Sequence, residues 1–349
     1  MTLRYVRQAI RDIPGYTPGE QPTAAGIVKL NTNENPYPPS PRVAEAIVAA
    51  VRDPLQRYPD PLATDVRRRA AARYGVGIEQ VLVGNGSDEL LSLVMRACVE
   101  RGTRVAYPVP TYSLYDTLVA QQEGVAVRVP HGENWSFPRA LLEAHAAVTC
   151  ICRPNSPSGT AVPLGDVEAC AEHTKGLVVV DEAYADFGED SALSLVARRD
   201  NVVVLRSFSK SFSLAGLRIG LAIGPSEFID VLARIKDSYN VNRISLAAAA
   251  AALDDYEWMQ RNVARIRATR ERLTSSLRAL GFAVPPSQAN FVFARRPGRD
   301  LEPVYLGLRS RGVLVRYFAT PELRDGLRIS VGSDAETDLL LKALTEERW

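Results

Sequence analysis

The sequence predicts an α/β fold: a large layered domain with a mostly parallel central sheet flanked by helices, then a smaller α+β domain. Three observations carry this. Between about residues 76 and 225, short β-branched runs alternate with helical segments. Several of those runs, such as "LVVVD" at 177–181, are apolar at consecutive positions, as strands buried on both faces require. After about residue 245 the pattern changes to long helical stretches interspersed with short strands. At 349 residues the chain is long enough for two cores. We divide it into an arm over 1–40, a large domain over 41–245 and a small domain over 246–349, which part of the arm joins.

The arm is rich in Pro, Gly and Asn, in "RDIPGYTPGEQP" and "NTNENPYPPSP". Proline fixes φ and removes donors, so an extended segment is expected. It carries Tyr16, Asn33, Glu34 and Tyr37, and polar groups on a pinned loop can serve a site. "DVRRRAAARYG" has its basic residues at helical spacing and stops at a glycine, which reads as a solvated helix face. The strands expected next are "RVAYP", "VAVRV", "AVTCIC", "LVVVDE", "VVVLRS" and "IGLAIG". The helical segments between them mostly run to a glycine, which suits the residue just past a helix end. "ISLAAAAAALDDYEWMQRNVARIRATRERLTSSLRALG" reads as one long helix or two. Strand "NFVFARR", helix "RDLEPVYLGLRSRG", strands "VLVRYF" and "LRISVG" and helix "DAETDLLLKALTEE" complete the chain.

Composition excludes several classes. Hydrophobic residues are 46% and charged residues 23%, ordinary for a globular enzyme. The formal charge of +2 leaves no nucleic-acid footprint. Cys98, Cys150, Cys152 and Cys170 form no CxxC, and His131, His145 and His173 show no ligand spacing. Reduced thiols and no metal are expected. No apolar run approaches the ~18 residues of a membrane span, so a cytoplasmic location is expected.

Ligands of open parallel α/β sheets bind beyond the carboxyl ends of the strands. Three consecutive strands deliver polar groups there. Asn155 follows "AVTCIC" in the turn "RPNSPSGT". Asp181, Glu182 and Tyr184 follow "LVVV", and Ser207, Ser209 and Lys210 follow "VVVLR". An amide, a carboxylate and an amine thus point to one rim. In "VLVGNGSDELL" two glycines precede Ser87 and a helix start, which suits a phosphate; Ser87 as a plain helix cap fits that segment equally. Glu89 stands where a dinucleotide fingerprint needs its third glycine. "LVVVDEAY" is similar to an ATPase strand, but the chain contains no Gly-Lys for a phosphate loop. A lysine, a carboxylate, a phosphate cradle and a tyrosine on one rim match the needs of pyridoxal phosphate.

On these residues the chain resembles the fold-type-I pyridoxal-phosphate aminotransferases, and within them the histidinol-phosphate aminotransferases. The likeness runs nearly end to end, through "NTNENPYPPSP", "YPDP", "GNGSDELL", "PTYSLY", "RPNSPSGT", "VVVDEAYADF", "SFSKSFSLAGLRIG", "YNVN", "QANFVFAR", "VLVRYF" and "GLRISVG". It implies Lys210 as the Schiff-base lysine, Asp181 on the pyridine nitrogen, and Asn155 and Tyr184 on the ring oxygen. Tyr112 would stack on the ring, and Gly86, Ser87, Ser207, Ser209 and Arg218 would hold the phosphate. Tyr58 would reach the cofactor phosphate of a partner subunit, implying a homodimer. Arg328 matches the substrate-anion arginine, Arg316 a second arginine for a substrate phosphate, and Tyr16 a substrate tyrosine. The implied reaction is ping-pong transfer between glutamate/2-oxoglutarate and histidinol phosphate/imidazole acetol phosphate, in histidine biosynthesis. An aromatic amino-acid aminotransferase and a phosphothreonine decarboxylase are alternatives on the same scaffold. Ser156 and Ser158 depart from the Asn and Thr of "NPNNPTG"-like turns, a change expected to affect turn packing more than chemistry.

Overall fold

The computed structural model describes residues 4–11, 13, 15, 19–22 and 26–346. Its strands are β1 Val28–Lys29, β2 Val81–Gly84, β3 Arg104–Val109, β4 Val125–Pro130, β5 Val148–Cys152 and β6 Leu177–Asp181. Then follow β7 Val202–Ser207, β8 Gly220–Ile223, β9 Phe291–Arg295, β10 Val313–Leu314, β11 Arg316–Tyr317 and β12 Gly326–Ser330. Among the described residues β2–β8 form one seven-stranded sheet in the order β2-β8-β7-β6-β5-β3-β4. The pairs from β7 to β4 are parallel, whereas β8 runs antiparallel to both neighbours. The reason lies in the β7–β8 connection. It holds only a three-residue 3-10 turn, Ala215–Leu217, so the chain doubles back instead of crossing over a helix.

Consecutive apolar residues in the central strands divide between two cores. Val178, Val180, Val202 and Val204 join one cluster, and Val179, Val203 and Leu205 the other, on the opposite face. The runs of valine are therefore two half-cores read alternately.

The segment after residue 240 forms two helices, Arg243–Asp254 and Tyr256–Ala279, broken at Asp255. A three-stranded antiparallel sheet, β11-β12-β9, follows. "VLVRYF" is not one strand. Its first half, β10, pairs parallel with β1 of the arm, and its second half, β11, pairs with β12. The expectation that helices end at glycine holds for Thr64–Tyr74, capped by Gly75 at φ +68. Ser87–Cys98 and Leu164–His173 stop short of Gly102 and Gly176, which serve the turns into the next strands. All four cysteines are free, and among the described residues no helix is long and apolar enough to cross a membrane.

Candidate active site

The carboxyl ends of β5, β6 and β7 lie side by side and open on one cavity, which their last residues Cys152, Asp181 and Ser207 line. Lys210 enters it from the β7–β8 connection. The arm pins the lysine's backbone, since the Asn35 amide donates to the carbonyls of Lys210 and Ser211 at 3.0 and 3.1 Å. Lys210 Nζ donates to the Thr32 carbonyl at 3.2 Å. Burial pushes its pKa down to about 8; Arg328 and Arg218 lower it further, and Glu34 and Asp88 oppose them.

Asp181 is buried at the floor. Tyr115 Oη donates to its Oδ2 at 3.0 Å and the Ala183 amide to its Oδ1 at 3.2 Å. Burial still outweighs both bonds and raises its pKa to about 6. Tyr184 stands edge-on to Phe291, with ring centroids 5.0 Å apart, and accepts from the Asn33 amide at 3.0 Å. Burial pushes its phenol up to about 12.

One wall gathers an uncapped helix start, two serine hydroxyls and an arginine. The helix Ser87–Cys98 starts on Gly86, which has φ +86, and no side chain caps it. Ser87 is thus the first helical residue, not the cap, and it lines the cavity. A Cβ on Gly220 would stand 2.6 Å from the Ser87 nitrogen, so only glycine lets β8 pass beneath this helix start. Arg218 Nη1 donates to Ser209 Oγ at 3.2 Å, and the Ser209 amide donates to Ser207 Oγ at 3.1 Å. Asp88, unassigned in the sequence reading, accepts from Arg218 Nη2 and from Tyr112 Oη, each at 3.2 Å.

The opposite wall comes from the three-stranded sheet. Arg316 on β11 and Arg328 on β12 are register partners, and both line the cavity. Arg328 donates to Ser156 Oγ at 3.0 Å and to the Asn31 carbonyl at 3.1 Å. Like charges directly opposite each other on paired strands are unfavourable, so this placement favours an anionic ligand between them.

The remaining predicted residues fall elsewhere. Asn155 is not among the lining residues. Its amide donates to Ser158 Oγ within the turn and to the Pro110 carbonyl, and its Oδ1 accepts from Thr111, both of the latter in the segment after β3. Ser156, next in the chain, lines the cavity. Its Oγ accepts the bond from Arg328. Tyr58 lies apart from this cavity, 76% exposed and stacked on Tyr239 at 4.2 Å. Glu34 pairs with Lys29. Tyr16 lies outside the described residues. Thr32 escaped the sequence reading because it contributes a backbone carbonyl, which has no residue signature.

The family model for aminotransferase class I and II matches residues 25–344. This chain belongs to that family. It is similar to histidinol-phosphate aminotransferase 1 of Nostoc sp., with 45% identity over 344 residues and 98% of each chain covered. It is likewise similar to histidinol-phosphate aminotransferase 1 of Bradyrhizobium diazoefficiens, with 46% identity over 348 residues, covering 98% of this chain and 99% of the other. Among solved structures it resembles the histidinol-phosphate aminotransferase of Sinorhizobium meliloti in complex with pyridoxal-5'-phosphate. That match has a TM-score of 0.88 at 29% identity, covering 98% of this chain and 97% of the other. A Thermus thermophilus aspartate aminotransferase mutant, at 22% identity and TM-score 0.85, shares the fold. The aminotransferase described here is thus an α/β enzyme of fold type I.

Proposed function

We propose that this enzyme is a pyridoxal-phosphate-dependent histidinol-phosphate aminotransferase that exchanges an amino group between histidinol phosphate and 2-oxoglutarate. The observation that carries the substrate assignment is the register pairing of Arg316 with Arg328 on one wall of the cavity that receives Lys210. A dicarboxylate and a phosphate monoester must use this site in turn, and guanidinium is permanently charged and bidentate toward either. Arg328 serves the carboxylate and Arg316 the substrate phosphate.

The residues present fit the cofactor. The uncapped helix start at Gly86–Ser87, with Ser207, Ser209 and Arg218, forms a cradle for a phosphate, and Gly220 keeps it clear. Asp181 would meet the pyridine nitrogen, Tyr112 the ring face and Tyr184 the ring oxygen. Asn155, in the turn after β5, would be the amide partner of that oxygen, and Ser156 beside it lines the cavity. When bound, pyridoxal phosphate supplies an aldehyde that condenses with amines and a protonated ring that withdraws electrons from the substrate Cα. Lys210 would hold the cofactor and is the group placed to take the proton from the substrate Cα; a pKa of about 8 suits a base near neutral pH. Asp181, ionised above about pH 6, would favour the protonated ring nitrogen.

The reading includes a homodimer. Tyr58 is exposed and does not line its own cavity, and Val48, Val51, Leu55 and Leu62 in the same stretch of chain are also exposed. An apolar surface of this kind favours association. The test of function is a side-by-side assay of the holoenzyme. Glutamate is offered with imidazole acetol phosphate and with phenylpyruvate, and phosphothreonine is tested for release of carbon dioxide. Preference for the first pair is expected; a preference for phenylpyruvate, or release of carbon dioxide, overturns the assignment. Arg316→Ala should cost roughly 2–5 kcal/mol in kcat/KM for histidinol phosphate and far less for phenylalanine. Equal losses on both sink the phosphate role of Arg316.

A further inference from the structure

We propose that Phe318 is a positioning residue for substrate anions in this enzyme, whose ring is shared by the Arg316 and Arg328 guanidinium groups and holds them as one anion-binding pair. The inference rests on the assignment of both arginines to substrate anions. Its starting point is an electrostatic problem. Register partners on antiparallel strands bring their Cβ atoms within about 5.5 Å, and two permanent cations so placed repel. Something must keep both heads turned into the cavity while leaving them able to bind an anion.

Phe318 follows Arg316 by two positions, so along extended chain it leaves on the same side. The guanidinium carbon of Arg316 is 5.5 Å from its ring centroid and that of Arg328 is 5.7 Å. Both distances are within the range of a cation–π attraction. Arg328 also approaches the Phe291 ring at 5.4 Å, but Phe291 already packs edge-on against Tyr184. Phe318 is the ring common to the two arginines.

An aromatic ring suits this task better than a carboxylate. It attracts guanidinium through its quadrupole and accepts no N–H bond, so the donors stay available to the substrate. The contrast is in the same cavity, where Asp88 takes a hydrogen bond from Arg218 and competes with any incoming phosphate. Ser156 and the Asn31 carbonyl hold Arg328 at two nitrogens without charge. Phe318 adds a contact that acts on both cations at once.

The test compares Phe318→Leu, Phe318→Met and Phe318→Tyr as holoenzymes, with cofactor content checked by absorbance. In the Leu and Met variants KM for histidinol phosphate and for glutamate should rise roughly tenfold, as should the inhibition constant of inorganic phosphate. Their kcat should stay within about twofold of the parent, because the ring touches no reacting atom. Phe318→Tyr, which keeps the ring face, should behave as the parent does. The proposal is overturned if the aliphatic variants keep KM and the inhibition constant, if Tyr fails as badly as Leu, or if kcat falls with KM unmoved. Should Leu lose the cofactor, the comparison of Met with Tyr decides. If the parent does not turn over histidinol phosphate, the substrate assignment fails, while the inorganic-phosphate comparison still decides the role of Phe318.

Discussion

Lys210 and Asp181 are displaced in opposite directions by the same cause. Burial disfavours charge, pushing the amine down to about 8 and the carboxyl up to about 6. Because the amine reacts only when neutral, uptake of pyridoxal phosphate by the cofactor-free protein should speed up about tenfold per pH unit and level off near pH 8. A rate still climbing at pH 10 would mean an ordinary lysine. Between pH 8 and 10.5 the unfolded chain keeps the proton the folded one has lost, so this group makes stability rise with pH there. Asp181 acts in the acid range. Its folded pKa exceeds the unfolded value, so stability falls as pH rises from 3.8 to about 6 and the cost stays in full above. Asp181→Asn should therefore raise the melting temperature of the cofactor-free protein above pH 6 while sharply reducing turnover, with the Tyr115 hydroxyl turning to accept from the new amide. Lower stability at pH 7 in that variant would contradict the burial argument. Both residues were legible in the sequence because each stands just past an apolar run, where a parallel sheet delivers its ligands' partners. The placement of Ser156 at the cavity was not, because which of two adjacent side chains lines it is set by the hydrogen bonds of the turn. The bonds of Asn155 to Thr111 and Pro110 come from a segment more than forty residues earlier.

At the scale of elements, the return of β8 along β7 matters most. It brings Arg218 and Lys210, at two ends of one connection, to the rim where β6 and β7 end. The strand "IGLAIG" was visible in the sequence, but its direction was not, since no two-residue turn signal marks the reversal. The close passage of β8 beneath the helix start gives a sharp test. Gly220→Ala should destabilise the protein by about 1–3 kcal/mol and hasten loss of cofactor after dilution, both followed optically. Gly216→Ala, with no atom within 4 Å of the new methyl, should do neither. Equal behaviour of the two variants would show that the Ser87 amide is not held by this contact. The pairing of Arg316 with Arg328 likewise needed the register of β11 and β12, which a split "VLVRYF" concealed.

For the whole molecule, the proposed dimer makes each site depend on two chains. Lys210→Ala and Tyr58→Ala should each cripple the enzyme alone, yet unfolding and refolding them together should restore turnover. In a mixed dimer one site would then hold an intact Lys210 from one chain and an intact Tyr58 from the other. No gain on mixing would place Tyr58 outside the reaction. The separate sheets before and after residue 245 were legible from the change of pattern there; the closure between distant segments was not. Val28 and Leu30 of the arm bond to Gly312 and Leu314, and the residues just after them meet the site. Thr32 receives Lys210 Nζ, Asn33 holds the Tyr184 hydroxyl, and Asn35 fixes the Lys210 backbone. A segment synthesised early thus finds its resting place only against β10, which is translated after every other strand of the site except β11 and β12. On the ribosome the chain carries its lysine long before it has a finished roof over it, and cofactor uptake becomes an event of late translation or of the released polypeptide.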